Sequence, residues 1–230
     1  MPALILIPGL LCDQTLWRFQ IGGLNGHAET TVADITRQST ISEMAADVLR
    51  TAPDRFSLAG FSLGSQVALE IMQVARERVE RLALLSATHG GLPSAVKSAI
   101  LHAVAALEQD NLDQYLDEIY PSYFAGPRAE DQELKSVFVN MAHAVGEQAG
   151  IRQMRALLAI TKPFPNLEKI FCPTVIVGGR DDRRIPPSSH QRLAEEIPGS
   201  KLVIIDDAAH FAPLEQPERV TAVLQQWLSK

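Results

Sequence analysis

The chain has 230 residues, 46% hydrophobic and 21% charged, and 21 Lys and Arg against 27 Asp and Glu leave a net charge of −6. That composition suits one compact domain burying roughly 70–75% of its unfolded surface, and it excludes a disordered acidic chain. A net-negative chain without a basic run also argues against nucleic acid, whose binding rests on neutralising phosphates. Cys12 and Cys172 are the two cysteines, too few for a disulfide scaffold or a Cys-rich zinc site, and they read as reduced thiols. The opening apolar run Ala3–Ile7 is shorter than the about 7–15 residues of a secretory signal, and no stretch reaches the roughly 20 that span a bilayer. The expectation is a soluble, cytoplasmic protein without a membrane partner.

In chain order, strand-like runs fall at Ala3–Ile7, Thr31–Ile35, Arg55–Ala59, Leu82–Ser86, Thr174–Val177 and Leu202–Ile205. Several are apolar at consecutive positions, as strands buried on both faces of a parallel sheet are. Helical patterns lie between them. Thr40 and Glu43 form a capping box ahead of Ile41, Met44, Ala45 and Val48. After Ser62 the pattern Val67, Ile71, Val74, Ala75 marks one helix face, and Pro217 opens a final helix carrying Val220, Val223, Leu224, Trp227 and Leu228. Alternation of this kind predicts an open α/β sheet of about six mostly parallel strands with helices on both faces. From Pro93 to Thr161 the pattern is helical only and holds all three tyrosines, Tyr115, Tyr120 and Tyr123. The predicted organisation is a core of residues 1–92 and 162–230, with 93–161 inserted as a helical cap over a cleft.

The stretch Gly60-Phe61-Ser62-Leu63-Gly64 sits between a strand-like and a helical run. A serine on such a strained turn projects its hydroxyl above the sheet, and the flanking glycines relieve backbone crowding. A hydroxyl needs a base to become a nucleophile. His210 follows the last strand, at the carboxyl edge where sites on open sheets assemble. His89 also follows a strand and is a weaker candidate, while His27, His102 and His143 fall at the wrong edge or in helical patterns. Asp181 and Asp182 follow Thr174–Val177, and one of the two would orient the imidazole. Backbone N–H groups of Leu63 and Leu10 are the expected oxyanion donors, since Pro8 offers none. Leu11, Cys12, Phe61 and the three tyrosines suggest an apolar acyl pocket.

With these residues in place the chain resembles the α/β-hydrolase superfamily. The stretches that carry the likeness are LILIPGLLCDQTLW, LAGFSLGSQVALE, ERVERLALLSA, VIVGGRDDRRIPP and AAHFAPLEQPERV. It is similar in particular to small serine carboxylesterases such as pimeloyl-carrier-protein methyl ester esterases. The resemblance implies an α/β-hydrolase fold lacking its usual N-terminal hairpin strands, and a triad of Ser62, Asp181 and His210, with Asp181 preferred over Asp182 by the family's G-x-x-D pattern. It also implies hydrolysis of a small-molecule ester through an acyl-enzyme. Two departures stand out: Pro8-Gly9 where the family usually has His-Gly, and Ser65 where it often has Gly. No His-Glu-x-x-His or phosphate loop is present, so neither a metal nor an organic cofactor is expected. A base relay without acylation, or a non-catalytic binding protein on the same fold, remains open at this point.

Overall fold

A computed structural model describes residues 1–88, 90–92 and 94–229, with the side chain of Ala95 left out. Among the described residues six parallel strands form one sheet: β1 (Ala3–Ile7), β2 (Glu29–Val32), β3 (Phe56–Phe61), β4 (Val79–Leu85), β5 (Thr174–Gly179) and β6 (Lys201–Ile205), in the order β2-β1-β3-β4-β5-β6. This is the predicted architecture. Among the described residues the α-helices are α1 (Arg18–Gly23), α2 (Ile41–Thr51), α3 (Leu63–Val74), α4 (Ser94–Leu107), α5 (Leu112–Tyr123), α6 (Gln132–Val145), α7 (Glu147–Leu158), α8 (Pro187–Glu196), α9 (Ala212–Glu215) and α10 (Pro217–Leu228). α2 packs on α3, α1 packs on α10, and α8 covers β5 and β6.

The local chemistry explains the boundaries. Thr40 Oγ1 accepts from the Glu43 amide, and the Glu43 carboxylate accepts from the Thr40 amide, closing the predicted capping box at α2. β2 ends three residues before the expected Ile35, because the Asp34 carboxylate accepts from the Thr36 amide and curls the chain into a turn. β5 runs two residues past the expected Val177, pairing Gly178 and Gly179 with Ile204 and Ile205. Val74 does not share the buried face of Val67 and Ile71, and is 62% exposed at the end of α3.

Between β4 and β5 the described chain is helical, α4 to α7, and an antiparallel bridge between Gly90 and Pro163 joins entry to exit. Pro93, where the insertion was expected to begin, lies outside the described residues. The order of the strands reverses between β1 and β3, so the loops after these strands diverge and leave a crevice at the carboxyl edge. Open α/β sheets bind ligands at such switch points.

Candidate active site

Ser62 follows β3 and precedes α3 with φ 52° and ψ −111°, a strained conformation for a side chain of any kind. Crowding explains the glycines around it. A Cβ on Gly60 would stand 2.3 Å from the Gly64 carbonyl oxygen, and one on Gly64 would stand 2.3 Å from that of Ile7. The Ser62 amide donates to Leu85 O at 2.9 Å. Ser65 turns its hydroxyl into the same turn, within 2.7 Å of Gly60 O and 3.0 Å of Leu85 O, so it braces the elbow that a glycine would leave unsupported.

Ser62 Oγ lies 3.0 Å from His210 Nε2, and His210 Nδ1 lies 2.8 Å from Asp182 Oδ2. The carboxylate on His210 is therefore that of Asp182, not of the expected Asp181. Asp181 is exposed, whereas Asp182 is 3% exposed. The cause is the length of β5. The strand ends at Gly179, where a Cβ would stand 2.0 Å from Ala209 O, so the histidine loop presses directly on the strand end. Arg180 and Asp181 donate their amides to Ile205 and Ala208 carbonyls, and the chain then turns Asp182 inward. Counting G-x-x-D from Gly178 reaches Asp181, and counting from Gly179, the true strand end, reaches Asp182.

Asp182 divides its two oxygens. Oδ1 accepts from the amides of Arg184 (2.8 Å) and Ile185 (2.9 Å), leaving Oδ2 for the imidazole. Burial pushes this carboxyl up, but the His210 imidazole and these two amides outweigh it and hold the carboxyl below the usual range. An ionised carboxylate only accepts, so Nδ1 carries the proton and Nε2 is left to accept from the Ser62 hydroxyl.

The histidine loop is clamped at both of its backbone groups. His210 N–H donates to Tyr123 O (3.1 Å), and Ser86 Oγ donates to His210 O (2.8 Å). One residue earlier, Ala209 N–H donates to Glu215, whose second oxygen accepts from Ala125 N–H in the insertion. Burial raises the Glu215 carboxyl to about 7, against the pull of these amides. Of the other histidines, His27 is exposed and His102 and His143 face surface carboxylates. His190 is fully buried against Gly178, and desolvation lowers it to about 4. His89 lies outside the described residues.

Leu10 and Leu63 both border the cavity beside Ser62. Leu63 opens α3, a position whose amide has no acceptor within the helix. Next to Leu10, Leu11 takes a left-handed φ of 53°, and its amide donates to Gln153 Oε1 at 3.0 Å. Gln153 Nε2 in turn donates to Ile35 O. This buried glutamine from α7 fixes the loop after β1 in a conformation a leucine does not favour.

The cavity holds about 70 Å³ for the centres of water-sized molecules and is walled mainly by apolar side chains. Leu11, Phe61, Tyr115 and Tyr123 line it as expected. Cys12 and Tyr120 do not. Cys12 is buried below the loop with its thiol on Leu10 O, and burial pushes that thiol well up. Tyr120 directs its hydroxyl away, to the carbonyls of Arg128 and Asp131. Spacing separates them: Tyr115, Ile119 and Tyr123 form an i, i+4, i+8 stripe on α5 that Tyr120 falls off.

The profile of the alpha/beta hydrolase family matches residues 4–223, and the chain belongs to that family. A protein of Agrobacterium fabrum that carries a carbamate hydrolase name is 25% identical over 99% of this chain and 93% of its own length. A pimeloyl-[acyl-carrier protein] methyl ester esterase of Nitrosomonas europaea is 24% identical over 95% of this chain and 92% of its own. Among solved structures, the enol-lactonase of Burkholderia xenovorans superposes with a TM-score of 0.89 at 19% identity, covering 100% of this chain and 92% of that one. Among the described residues, no helix is long and apolar enough to cross a membrane.

Proposed function

We propose that the protein is a serine hydrolase of small carboxylic esters. The observation that carries this reading is the unbroken hydrogen-bonded chain from Ser62 Oγ through His210 to Asp182, seated at the switch point of the sheet. Relatives named as a methyl ester esterase and a carbamate hydrolase support hydrolysis of a carbonyl bonded to a heteroatom. In this reading the sheet portion, 1–92 and 162–230, carries the chemistry and the inserted helices shape the pocket.

The steps follow from the geometry. His210 Nε2 accepts the Ser62 proton as Oγ forms a bond to the ester carbon. The negative charge on the carbonyl oxygen is met by the amides of Leu10 and Leu63. Asp182 stabilises the imidazolium, which then protonates the leaving alkoxide as the carbon–oxygen bond breaks. A water, deprotonated by the same imidazole, releases the acid and restores Ser62.

A fluorophosphonate probe tests the reading directly. The expected result is rapid labelling that peptide mapping places on Ser62 and that Ser62→Ala abolishes. Absence of labelling, or labelling elsewhere, overturns it.

A further inference from the structure

Among the described residues that line the cavity, Arg184 alone carries a fixed charge, and no Asp or Glu shares the wall. Its guanidinium lies over the Tyr123 ring, 4.5 Å from the centroid, and Nη2 donates to Tyr123 Oη at 3.1 Å. A guanidinium has five N–H donors, and this bond uses one. Among the described residues no carboxylate stands within ion-pairing distance of it, whereas Arg180 on the same turn is paired with Asp206. The backbone of Arg184 is also fixed, because its amide donates to Asp182 Oδ1. Tyr123 meets the His210 ring edge-on at 5.3 Å. The guanidinium thus lies no farther from the imidazole than those two legs laid end to end, a span that a short chain covers.

We infer that Arg184 is an anion-recognition residue of this pocket and that the preferred substrate is an ester bearing a carboxylate. The inference rests on the esterase reading and adds a substrate class to it. A planar fork of donors in an apolar, half-enclosed wall suits a carboxylate, which it binds through charge-assisted bonds that solvent screens less than at an open surface. The same group penalises a neutral substrate, which covers the guanidinium without giving it an acceptor. Discrimination therefore has an attractive and a repulsive part.

Matched esters test this. The p-nitrophenyl monoester of adipic acid is compared with p-nitrophenyl hexanoate, and 4-acetoxybutanoate with butyl acetate, placing the carboxylate on the acyl or the alcohol side. The wild type is expected to favour the acid of at least one pair in kcat/KM by about tenfold or more. Arg184→Gln should bring that ratio close to one, Arg184→Lys should restore part of it, and added salt should shrink it. Equal treatment of acid and neutral members in both pairs overturns the inference. So does an equal loss on both in Arg184→Gln, which would make the residue a prop for Tyr123. Binding keeps the question separate from turnover. In Ser62→Ala protein, monomethyl adipate should bind about tenfold more tightly than dimethyl adipate, and adding Arg184→Gln should erase the difference. Equal affinities overturn the carboxylate preference even where Ser62 labels normally, whereas a missing label with unequal affinities overturns the esterase reading and leaves Arg184 as an anion site.

Discussion

The strand ends and the inserted helices wall the same cavity, yet different physics holds each in place. On the sheet side, backbone crowding decides: Gly60, Gly64 and Gly179 each stand where a Cβ would collide with a neighbouring main chain. On the helical side, single long-range contacts decide, such as Gln153 on Leu11 and Tyr123 O on His210 N–H. Steric exclusion leaves a mark in the sequence near the residue it constrains. A hydrogen bond between residues 142 positions apart, as Leu11 and Gln153 are, leaves none. Chemistry is therefore expected to fail with changes on the first side, and selectivity with changes on the second.

Ser62→Ala is the harshest test of the sheet side, with an expected loss of about 10⁶ in kcat and an unchanged fold by circular dichroism. Adding His210→Ala should cost little more, because the two act as a unit. Next comes the acid. Asp182→Asn should stabilise the wrong imidazole tautomer and lower kcat by roughly 10³–10⁴, whereas Asp181→Asn, on an exposed side chain, should cost less than about tenfold. Steady-state kinetics of the pair decides between them, and reversed magnitudes would break the assignment. On the helical side, Tyr115→Ala should reorder preferences among acyl lengths by roughly tenfold. Tyr120→Phe should leave those preferences alone and cost about 1–2 kcal/mol of stability in urea, because its hydroxyl loses two carbonyls.

The smallest effect sits where the two regions meet. Glu215 binds its proton more tightly in the folded chain, with its carboxyl raised to about 7. Its contribution to stability is therefore complete below the unfolded value of about 4.5 and is lost as pH rises through about 7. Glu215→Gln removes that titration, so the stability of the wild type relative to the variant should decline between about pH 5 and 8. Unfolding free energies that run parallel across this range would mean an ordinary carboxyl.

How much was legible follows the same division. Gly60-x-Ser62-x-Gly64, the capping box at Thr40 and the strand preceding His210 state their geometry within a few residues, and the structure places Ser62 and His210 in contact. The G-x-x-D pattern points to Asp181 when counted from Gly178 and to Asp182 when counted from Gly179, and only pairing with β6 shows which glycine ends the strand. Tyr120 was separable from Tyr115 and Tyr123 by helical spacing, since it lies off their stripe. Ser86, Gln153 and Arg184 carried no local signal, because each acts on a partner distant in sequence.

The ties between the insertion and the sheet also set a clock. α7 is fastened to the loop after β1 through Gln153, and the end of α5 is fastened to the histidine loop through Tyr123 and Glu215. A rigid-body swing of these helices would break bonds on both sides of Ser62 at once. Access to the cavity then falls to rotations of its half-exposed lining side chains, such as Leu10, Ile119 and Arg184, which are fast on the scale of hinge motions of microseconds to milliseconds. NMR relaxation dispersion should accordingly be quiet along α5 and α7, and turnover should be insensitive to solvent viscosity beyond the effect of diffusion.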